Sequence, residues 1–283
     1  MKTAIVTDST SYLSKELRDQ LHIHMIPLSV VIGQETYREE VDIQAGDFYE
    51  VVRTQEKLPT TTQPPIGEFV KLYEQLLEQG YEAVVGVYLS SGISGTYQTS
   101  LAAADLVEGL TVRSFDSEIS CGPQGFYVLR AVELAREGKG PDDIIQELEK
   151  MRSSVKAYFV VDDLNHLKRG GRLSSAQALI GGLLQVKPLL QFVDKVIVPF
   201  EKIRTSKKAL KRVADLFEED YQKGEPLEAV IIHANRETEA RRWIGELEER
   251  FPNASFSISY FGPVIGTHLG EGALGFGWTK KRD

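Results

Sequence analysis

Cysteine is almost absent from this chain, since Cys121 is the only one among 283 residues. A single thiol can form neither a disulfide within the chain nor a zinc site built from cysteines, and so low a count is typical of a reducing compartment. We expect Cys121 to be a small buried apolar side chain.

Long apolar stretches are also missing. No run reaches the ~18 residues of a membrane-spanning helix, and the apolar stretch at the N-terminus is too short for a signal peptide. We therefore expect a soluble, cytoplasmic protein.

Positive charge is in deficit, with 33 Lys and Arg residues against 41 Asp and Glu residues and a net charge of −8. The overall field of such a protein repels polyphosphate, so nucleic acid is not an expected partner.

Motifs for nucleotides and metals are lacking as well. No Gly-Lys-Ser/Thr phosphate loop is present, and no dinucleotide fingerprint follows the first predicted strand. His22 and His24 share a strand face, but no cysteine or carboxylate cluster completes a metal site around them. We expect neither a metal nor a cofactor.

What the first half does contain is an alternation of apolar segments and amphipathic helices. The pattern predicts strands at Thr3–Thr7, Ala83–Leu89 and Thr111–Phe115, and helices at Gly67–Gln79 and near Gln124–Arg136. This order favours an α/β domain with a mainly parallel sheet covered by helices on both faces.

The pattern changes after about Ser154. Predicted strands at Lys156–Val161 and Val193–Pro199 enclose a glycine-rich region from Gly170 to Leu184, and a basic helix begins at Thr205. We predict two domains, an N-terminal α/β domain over residues 1–155 and a C-terminal α/β domain over residues 156–283 with a mixed or antiparallel sheet. A ligand cleft is expected between them.

Polar side chains follow several predicted strands, where ligands bind in sheets of this kind. Asp8 and Ser9 follow the first strand, and Asp116 and Ser117 follow the strand that ends at Phe115. For Asp8 and Asp116, capping of a helix or loop explains the pattern equally well. Thr61-Thr62-Gln63-Pro64 lies in the loop before the Gly67 helix.

The segment Ser91-Gly92-Ile93-Ser94-Gly95-Thr96 has the composition of an anion-binding loop. Glycines allow a close approach of the backbone, and a helix N-terminus that follows directs free N–H groups at an anion. The alternative is a helix cap with a tight turn.

Two cationic stretches and one histidine add to this inventory. Lys168-Arg169-Gly170-Gly171-Arg172 suits carboxylate or phosphate recognition, and a second basic stretch begins at Arg204; both are also compatible with ordinary solvated surfaces. His268 lies among glycines after Phe261-Gly262-Pro263, where a loop could bring it into the cleft to hydrogen-bond a carboxylate.

Seven ordered segments match a known family. They are Asp8-Ser9-Thr10, Thr61-Thr62-Gln63-Pro64, Ser91-Gly92-Ile93-Ser94-Gly95-Thr96, Asp116-Ser117, Leu167-Lys168-Arg169-Gly170-Gly171-Arg172-Leu173, Lys187-Pro188-Leu189-Leu190 and Gly266-Thr267-His268. Through them the chain resembles the DegV family over essentially its whole length.

The resemblance implies a two-domain DegV-like fold that binds one long-chain fatty acid of the palmitate, stearate or oleate type. It also implies a non-catalytic role as the acyl-carrying subunit (FakB) of bacterial fatty acid kinase. In that system a separate ATP-binding kinase subunit makes the acyl phosphate for phospholipid synthesis. The partners would then be the fatty acid, the kinase subunit and, transiently, a membrane surface.

Matching positions imply roles for individual residues. Thr61 or Thr62 would hold the carboxylate with Ser94, and His268 would lie close by. The family often has serine at the position of Thr62, and threonine keeps the hydroxyl. Arg172 and Arg204 would face the phosphate or the kinase. The supporting cleft residues are Asp8, Ser9, Gly95, Thr96, Asp116, Ser117, Gly266 and Thr267.

Two other classes of function fit the same residues. One is a phosphotransferase or phosphatase that uses His268 with Asp8 or Asp116 in the cleft. The other is an interaction protein in which the cleft is incidental.

Overall fold

A computed structural model describes residues 2–55, 57–173 and 187–281 of the chain. The predicted glycine-rich region from Gly170 to Leu184 lies outside the described residues from position 174 onward. The described residues form an α/β structure with three sheets, which confirms the predicted fold class.

The first sheet is wholly parallel. Its strands are β1 (Thr3–Asp8), β2 (Ile23–Ile26), β6 (Ala83–Tyr88) and β7 (Thr111–Asp116). They lie in the order β2-β1-β6-β7. The three strands predicted in this half appear within one residue of their expected ends.

Helices cover both faces of this sheet. The helices of the first half are α1 (Lys15–Leu21), α2 (Ala45–Thr54), α3 (Ile66–Glu78), α4 (Thr96–Ala104), α5 (Cys121–Arg136) and α6 (Pro141–Met151), with a short 3-10 helix at Ser9–Ser11. Phe69 and Tyr73 of α3 pack against one face. Val128 of α5 and Ile144 of α6 pack against the other, so the prediction of two covered faces is confirmed.

A small antiparallel sheet was not predicted. It consists of β3 (Ser29–Ile32), β4 (Glu35–Arg38) and β5 (Thr60–Thr62) in the order β4-β3-β5. β5 contains three threonines and no apolar residue, so its sequence carries no alternation that would reveal a half-buried strand. Its pairing with β3 places Thr61 opposite Val30.

The second sheet has six strands, and all of them follow residue 155. They are β8 (Lys156–Val160), β9 (Leu189–Val193), β10 (Val196–Glu201), β11 (Leu227–His233), β12 (Ser255–Tyr260) and β13 (Leu274–Lys280). Their order is β10-β9-β8-β13-β11-β12, with β11 and β12 parallel and the other pairs antiparallel. The sheet is therefore mixed, as predicted, while the division into domains at 155/156 stays a prediction.

The expected single strand at Val193–Pro199 is wrong. The chain turns at Asp194 and Lys195, whose φ angles are 47° and 72°, and a hairpin of β9 and β10 results. Left-handed backbone at two successive residues marks a tight hairpin turn, which glycine and asparagine usually signal. Asp194 is compatible with such a turn, but Lys195 occupies the position where glycine is usual, so the turn was not evident.

The second half contains four helices among the described residues: α7 (Leu164–Arg169), α8 (Ser206–Tyr221), α9 (Glu237–Arg250) and α10 (Pro263–Leu269). Phe217 of α8 and Trp243 of α9 cover one face of the second sheet. The opposite face shares a core with α10, the small sheet and the N-terminal part of α5. His268 lies in α10 rather than in the predicted loop.

Within the described residues, no helix combines the length and the apolar character that crossing a bilayer requires.

Candidate functional site

A cavity of about 310 Å³ lies between the two large sheets, within the ~300–1,000 Å³ range of small-molecule sites. Its lining is mostly apolar, and both β8 and the β9–β10 hairpin contribute to it. The apolar lining residues include Leu28, Leu89, Ile119, Phe159, Leu167, Phe192, Ile197, Ile232, Phe261, Val264, Ile265, Leu269 and Phe276.

Hydroxyl, imidazole and guanidinium groups interrupt this apolar lining. We call Thr61, Ser94, Arg172 and His268 the polar cluster; all four line the cavity. Thr62 also lines the cavity, but Thr62 is exposed to solvent, whereas Thr61 is half-buried. The structure thus brings together Thr61, Thr62, Ser94, Arg172 and His268 from four separate segments of the chain.

His268 is held by Thr61, with 2.9 Å between His268 Nε2 and Thr61 Oγ1. The Nδ1 atom is buried and has no hydrogen-bond partner among the described residues. Burial, with added repulsion from Arg172 and His166, lowers the pKa of His268 to about 4. The imidazole is therefore neutral at pH 7.

A neutral imidazole carries a single proton, so the Thr61 contact has two forms. With the proton on Nε2, His268 donates to Thr61 Oγ1, and the Thr61 hydroxyl can donate its own proton to a ligand. With the proton on Nδ1, the Thr61 hydroxyl donates its proton to His268 Nε2 and cannot donate it to a ligand. An anionic ligand favours the first form, in which His268 orients the Thr61 hydroxyl toward the ligand.

Ser94 lies in the loop before α4, whose geometry is set by bonds within the protein. Ser94 Oγ is 2.9 Å from Thr96 Oγ1, and the backbone N–H of Ser91 donates to Asp116 Oδ1 at 3.0 Å. A Cβ atom added at Gly95 would overlap the Gln63 amide oxygen. Glycine at this position therefore leaves room for the Gln63 side chain against the loop beside the cavity.

Arg172 joins the α7 segment to the same loop. Its Nε donates to the Ile93 carbonyl oxygen at 3.1 Å, and its Nη1 donates to the Gly170 carbonyl oxygen at 2.5 Å. Gly170 in turn leaves no room for a Cβ beside His268 Nδ1. The positive charge of Arg172 therefore lies beside a neutral imidazole and two hydroxyls, which is an environment suited to an anion.

Arg204 is not part of this cluster. It is exposed just before α8, and it makes no hydrogen bond or ion pair within the described ranges. The other residues of the basic stretch lie on or next to α8, which covers the outer face of the second sheet.

The other predicted cleft residues support the walls from behind. Asp8 is fully buried, and its carboxylate accepts from the Thr10 and Leu89 amides at 2.9 and 2.7 Å. Burial raises its pKa. Ser9 donates to Glu39 Oε2 at 2.5 Å, and Ser117 donates to the Ile119 carbonyl oxygen at 3.0 Å.

Gly266 and Thr267 lie inside α10. A Cβ at Gly266 would reach within 3.0 Å of the Tyr49 ring, and Thr267 donates to the Pro263 carbonyl oxygen at 2.8 Å. Of the eight predicted supporting residues, Gly95 alone lines the cavity in the part of the chain that the structure describes. No carboxylate of Asp8 or Asp116 accompanies His268 there.

Several contributors were missed by sequence reasoning. Gln63, Ser120 and Cys121 line the cavity. The expected burial of Cys121 is confirmed, and burial raises the pKa of its thiol. The β9–β10 hairpin also lines the cavity, through Phe192 and Ile197. These two residues face each other because the chain turns at Asp194 and Lys195, a turn that was not predicted.

Within the described ranges, no three His, Cys, Asp or Glu side chains are placed to share a metal ion. His24 of the weak histidine pair packs edge-on against Tyr81, with 5.9 Å between ring centroids.

Comparison with known proteins places the chain in a family. A family model described as "Uncharacterised protein, DegV family" matches residues 2–281. The chain belongs to the DegV family. It is 59% identical over 282 residues to Protein DegV of Bacillus subtilis (strain 168), and the aligned region covers 99% of this chain and 100% of the relative.

Solved structures of DegV proteins share the fold of this family member. A structure of DegV from Bacillus subtilis, described as a fatty acid binding protein, has a TM-score of 0.95 at 59% identity and covers 99% of this chain and 100% of its own. A fatty acid binding DegV family protein from Streptococcus agalactiae has a TM-score of 0.91 at 36% identity, with both chains fully covered. A DegV family protein from Thermus thermophilus, described by its fatty acid binding, has a TM-score of 0.90 at 31% identity over 99% and 100% of the two chains.

Proposed function

We propose that this protein binds one long-chain fatty acid in the cavity between its sheets. The observation that carries the proposal is an apolar cavity whose lining includes the hydroxyls of Thr61 and Ser94, the neutral imidazole of His268 and the guanidinium of Arg172. The acyl tail lies along the apolar lining. The carboxylate accepts hydrogen bonds from Thr61 and Ser94, beside Arg172.

Magnitudes divide the work between tail and head group. Burial of a sixteen-carbon chain is worth about 12 kcal/mol at ~0.8 kcal/mol per methylene, before the costs of association and ordering. A hydrogen bond to a charged group adds only ~1.5–3 kcal/mol net. The tail therefore supplies most of the affinity, and the polar cluster fixes the direction in which the fatty acid lies.

The family comparisons support this assignment, because three DegV proteins at 31–59% identity are described as fatty acid binding. Palmitate, stearate and oleate represent the class of ligand. A phosphotransferase or phosphatase is the weaker alternative, since neither Asp8 nor Asp116 lies beside His268 in the described cavity lining.

A carrier role follows from the same chemistry. In this proposal the protein is non-catalytic and presents the carboxylate in the cytoplasm to a separate ATP-dependent kinase subunit, with transient contact to a membrane surface for loading. A carboxylate oxygen then attacks the γ-phosphorus of ATP, the bond to ADP breaks, and an acyl phosphate forms. Arg172 lies beside the carboxylate, and Arg204 is exposed for contact with the partner.

The binding proposal predicts that protein purified gently from a bacterial host carries about one equivalent of saturated or monounsaturated long-chain fatty acid. An apolar cavity left empty or filled with water forfeits contacts along its lining, so a lipid is retained. Mass spectrometry of an organic extract measures the lipid. An extract without fatty acid, from protein that also fails to take up added palmitate or oleate, contradicts the proposal.

The carrier role predicts that Arg204→Ala retains fatty acid affinity but slows acyl phosphate formation several-fold with a cognate kinase subunit. The reason is that Arg204 lies outside the cavity lining. Phosphate transfer is measured with the kinase below saturation, and Arg242→Ala on the exposed face of α9 is the matched control. A wild-type transfer rate for Arg204→Ala removes this arginine from the functional residues.

A further inference from the structure

The β9–β10 hairpin reaches from the second sheet to the loop of the polar cluster. At its tip, the Ser90 hydroxyl donates to the Lys195 carbonyl oxygen at 2.6 Å. Lys195 Nζ lies 3.0 Å from Asp116 Oδ2 and 3.8 Å from Glu118 Oε1. A Cβ added at Gly92 would overlap the Lys195 carbonyl group. The tip and the loop therefore touch backbone to backbone.

The same hairpin forms part of the apolar wall. Phe192 and Ile197 are cross-strand partners directly behind the tip, and both line the cavity. On the other side of the contact, the loop carries Ser94, which also lines it. This contact therefore joins the hairpin, which forms part of the apolar wall, to the loop that carries Ser94.

This contact lies at an edge of the second sheet and is partly open to solvent. β10 is an edge strand, and on its outer side the described residues provide only an isolated bridge between Leu173 and Ile197. The Lys195 side chain is 43% exposed, and ion pairs with an exposed partner contribute little stability. Segments with few ordered contacts open at low cost in free energy.

We propose that the contact between the hairpin tip and the Ser90–Ser94 loop is the gate through which the acyl chain enters and leaves, with Lys195 as the positioning residue that keeps it closed. This inference rests on the proposed fatty acid binding. Separation of Lys195 from Ser90 and Asp116 moves Phe192 and Ile197 away from the loop and opens the side of the cavity. The carboxylate contacts of Thr61 and His268 lie on other elements and are not altered.

The test is the exchange kinetics of a fluorescent fatty acid such as cis-parinaric acid, followed by stopped flow with excess oleate as competitor. Lys195→Met removes the charge and keeps the apolar stem of the side chain. Gly92→Ala disturbs the same contact from the loop side. Lys139→Met is the control, because Lys139 does not line the cavity. It follows the C-terminal end of α5, and the end of this helix that reaches the cavity is the N-terminal one, at Cys121.

We expect association and dissociation rates to rise together in both variants. The rise is a few-fold in Lys195→Met, which removes the ion pair but keeps the carbonyl oxygen that accepts from Ser90. It is roughly tenfold in Gly92→Ala, whose added Cβ displaces that carbonyl group. In Lys195→Met the equilibrium Kd stays within about twofold, because a gate changes the path and not the bound state. Gly92 belongs to the loop that carries Ser94, so only the exchange rates of Gly92→Ala test the gate. Higher ionic strength should speed exchange in the wild type but not in Lys195→Met.

Wild-type rates in both variants overturn the gate. So does faster dissociation in Lys195→Met with a matching rise in Kd, since that result assigns the contact to the bound-state wall. A wild-type protein that takes up neither cis-parinaric acid nor oleate overturns the proposed function itself, and this outcome is distinct from the first two.

Discussion

Thr61→Val combined with Ser94→Ala is expected to weaken fatty acid binding by at least about 100-fold. The two substitutions remove two hydrogen bonds to a carboxylate, and each is worth ~1.5–3 kcal/mol when the acceptor is charged. Valine preserves the shape of threonine in β5, and alanine keeps the backbone of the loop before α4. Displacement of cis-parinaric acid, or calorimetry with oleate, measures the affinity.

The control for this pair is Thr60→Val, a change to an exposed neighbour in β5 that does not line the cavity. Thr62→Val, tested separately, decides which of the two adjacent threonines contacts the carboxylate; the bond from Thr61 to His268 predicts the larger loss at Thr61. An unchanged affinity in a folded Thr61→Val/Ser94→Ala protein contradicts the assigned carboxylate site.

Glu39→Gln is expected to alter the pH dependence of stability. Glu39 is fully buried after β4, where its carboxylate accepts from Ser9, Tyr12 and the Val264 backbone N–H at 2.5, 2.9 and 2.7 Å. Burial outweighs these hydrogen bonds and raises the pKa of Glu39 to about 7 from a usual 4.5. The carboxyl thus ties the β1 loop to the start of α10, the helix that carries His268.

The sign follows from proton binding. Between pH 4.5 and 7 the folded state holds a proton on Glu39 that the unfolded state has released, so stability falls as pH rises through this window. A shift of this size corresponds to about 3 kcal/mol. Glutamine does not titrate. As the pH rises from 4.5 to 8, the free energy of unfolding of Glu39→Gln should therefore increase relative to that of the wild type by up to about 3 kcal/mol.

Urea unfolding of both proteins across this range measures the difference, and the subtraction cancels the titration of groups common to both. Glu35→Gln, at an exposed position of the neighbouring β4, is the matched control. A constant difference between Glu39→Gln and wild type at all pH values would show that folding leaves the pKa of Glu39 unshifted.

Short-range patterns were sufficient for most of the framework. The apolar run at Ala83–Leu89 predicted β6 because a strand buried on both faces has no polar position to interrupt it. The helix at Glu237–Arg250 was predicted with the bounds that α9 has. The seven ordered motifs also identified the family, because each is a short continuous segment that can be recognised without knowledge of the fold.

Elements without a local pattern were missed. Gly275 and Gly277 interrupt the apolar pattern of β13, yet this strand is central to the second sheet. A Cβ at Gly277 would overlap Pro123 of α5, and a Cβ at Gly275 would come within 3.0 Å of the Phe261 ring, so these glycines reflect close packing against the sheet. The turn at Asp194 and Lys195 likewise depends on its contacts with Ser90 and Asp116.

Residue types and their order in the chain were enough to predict an α/β protein with hydroxyl, cationic and imidazole groups suited to an anion. Which of these groups meet was decided by long-range packing. Thr61 and His268 are 207 positions apart and come within 2.9 Å only because β5 pairs with β3, which packs in the same core as α10. Asp8 and Asp116, equally suggestive in the sequence, are instead committed to backbone amides behind the walls. The difference is physical: hydrogen-bonding capacity belongs to each side chain, whereas the partner that uses it depends on how distant segments bury their apolar surfaces together.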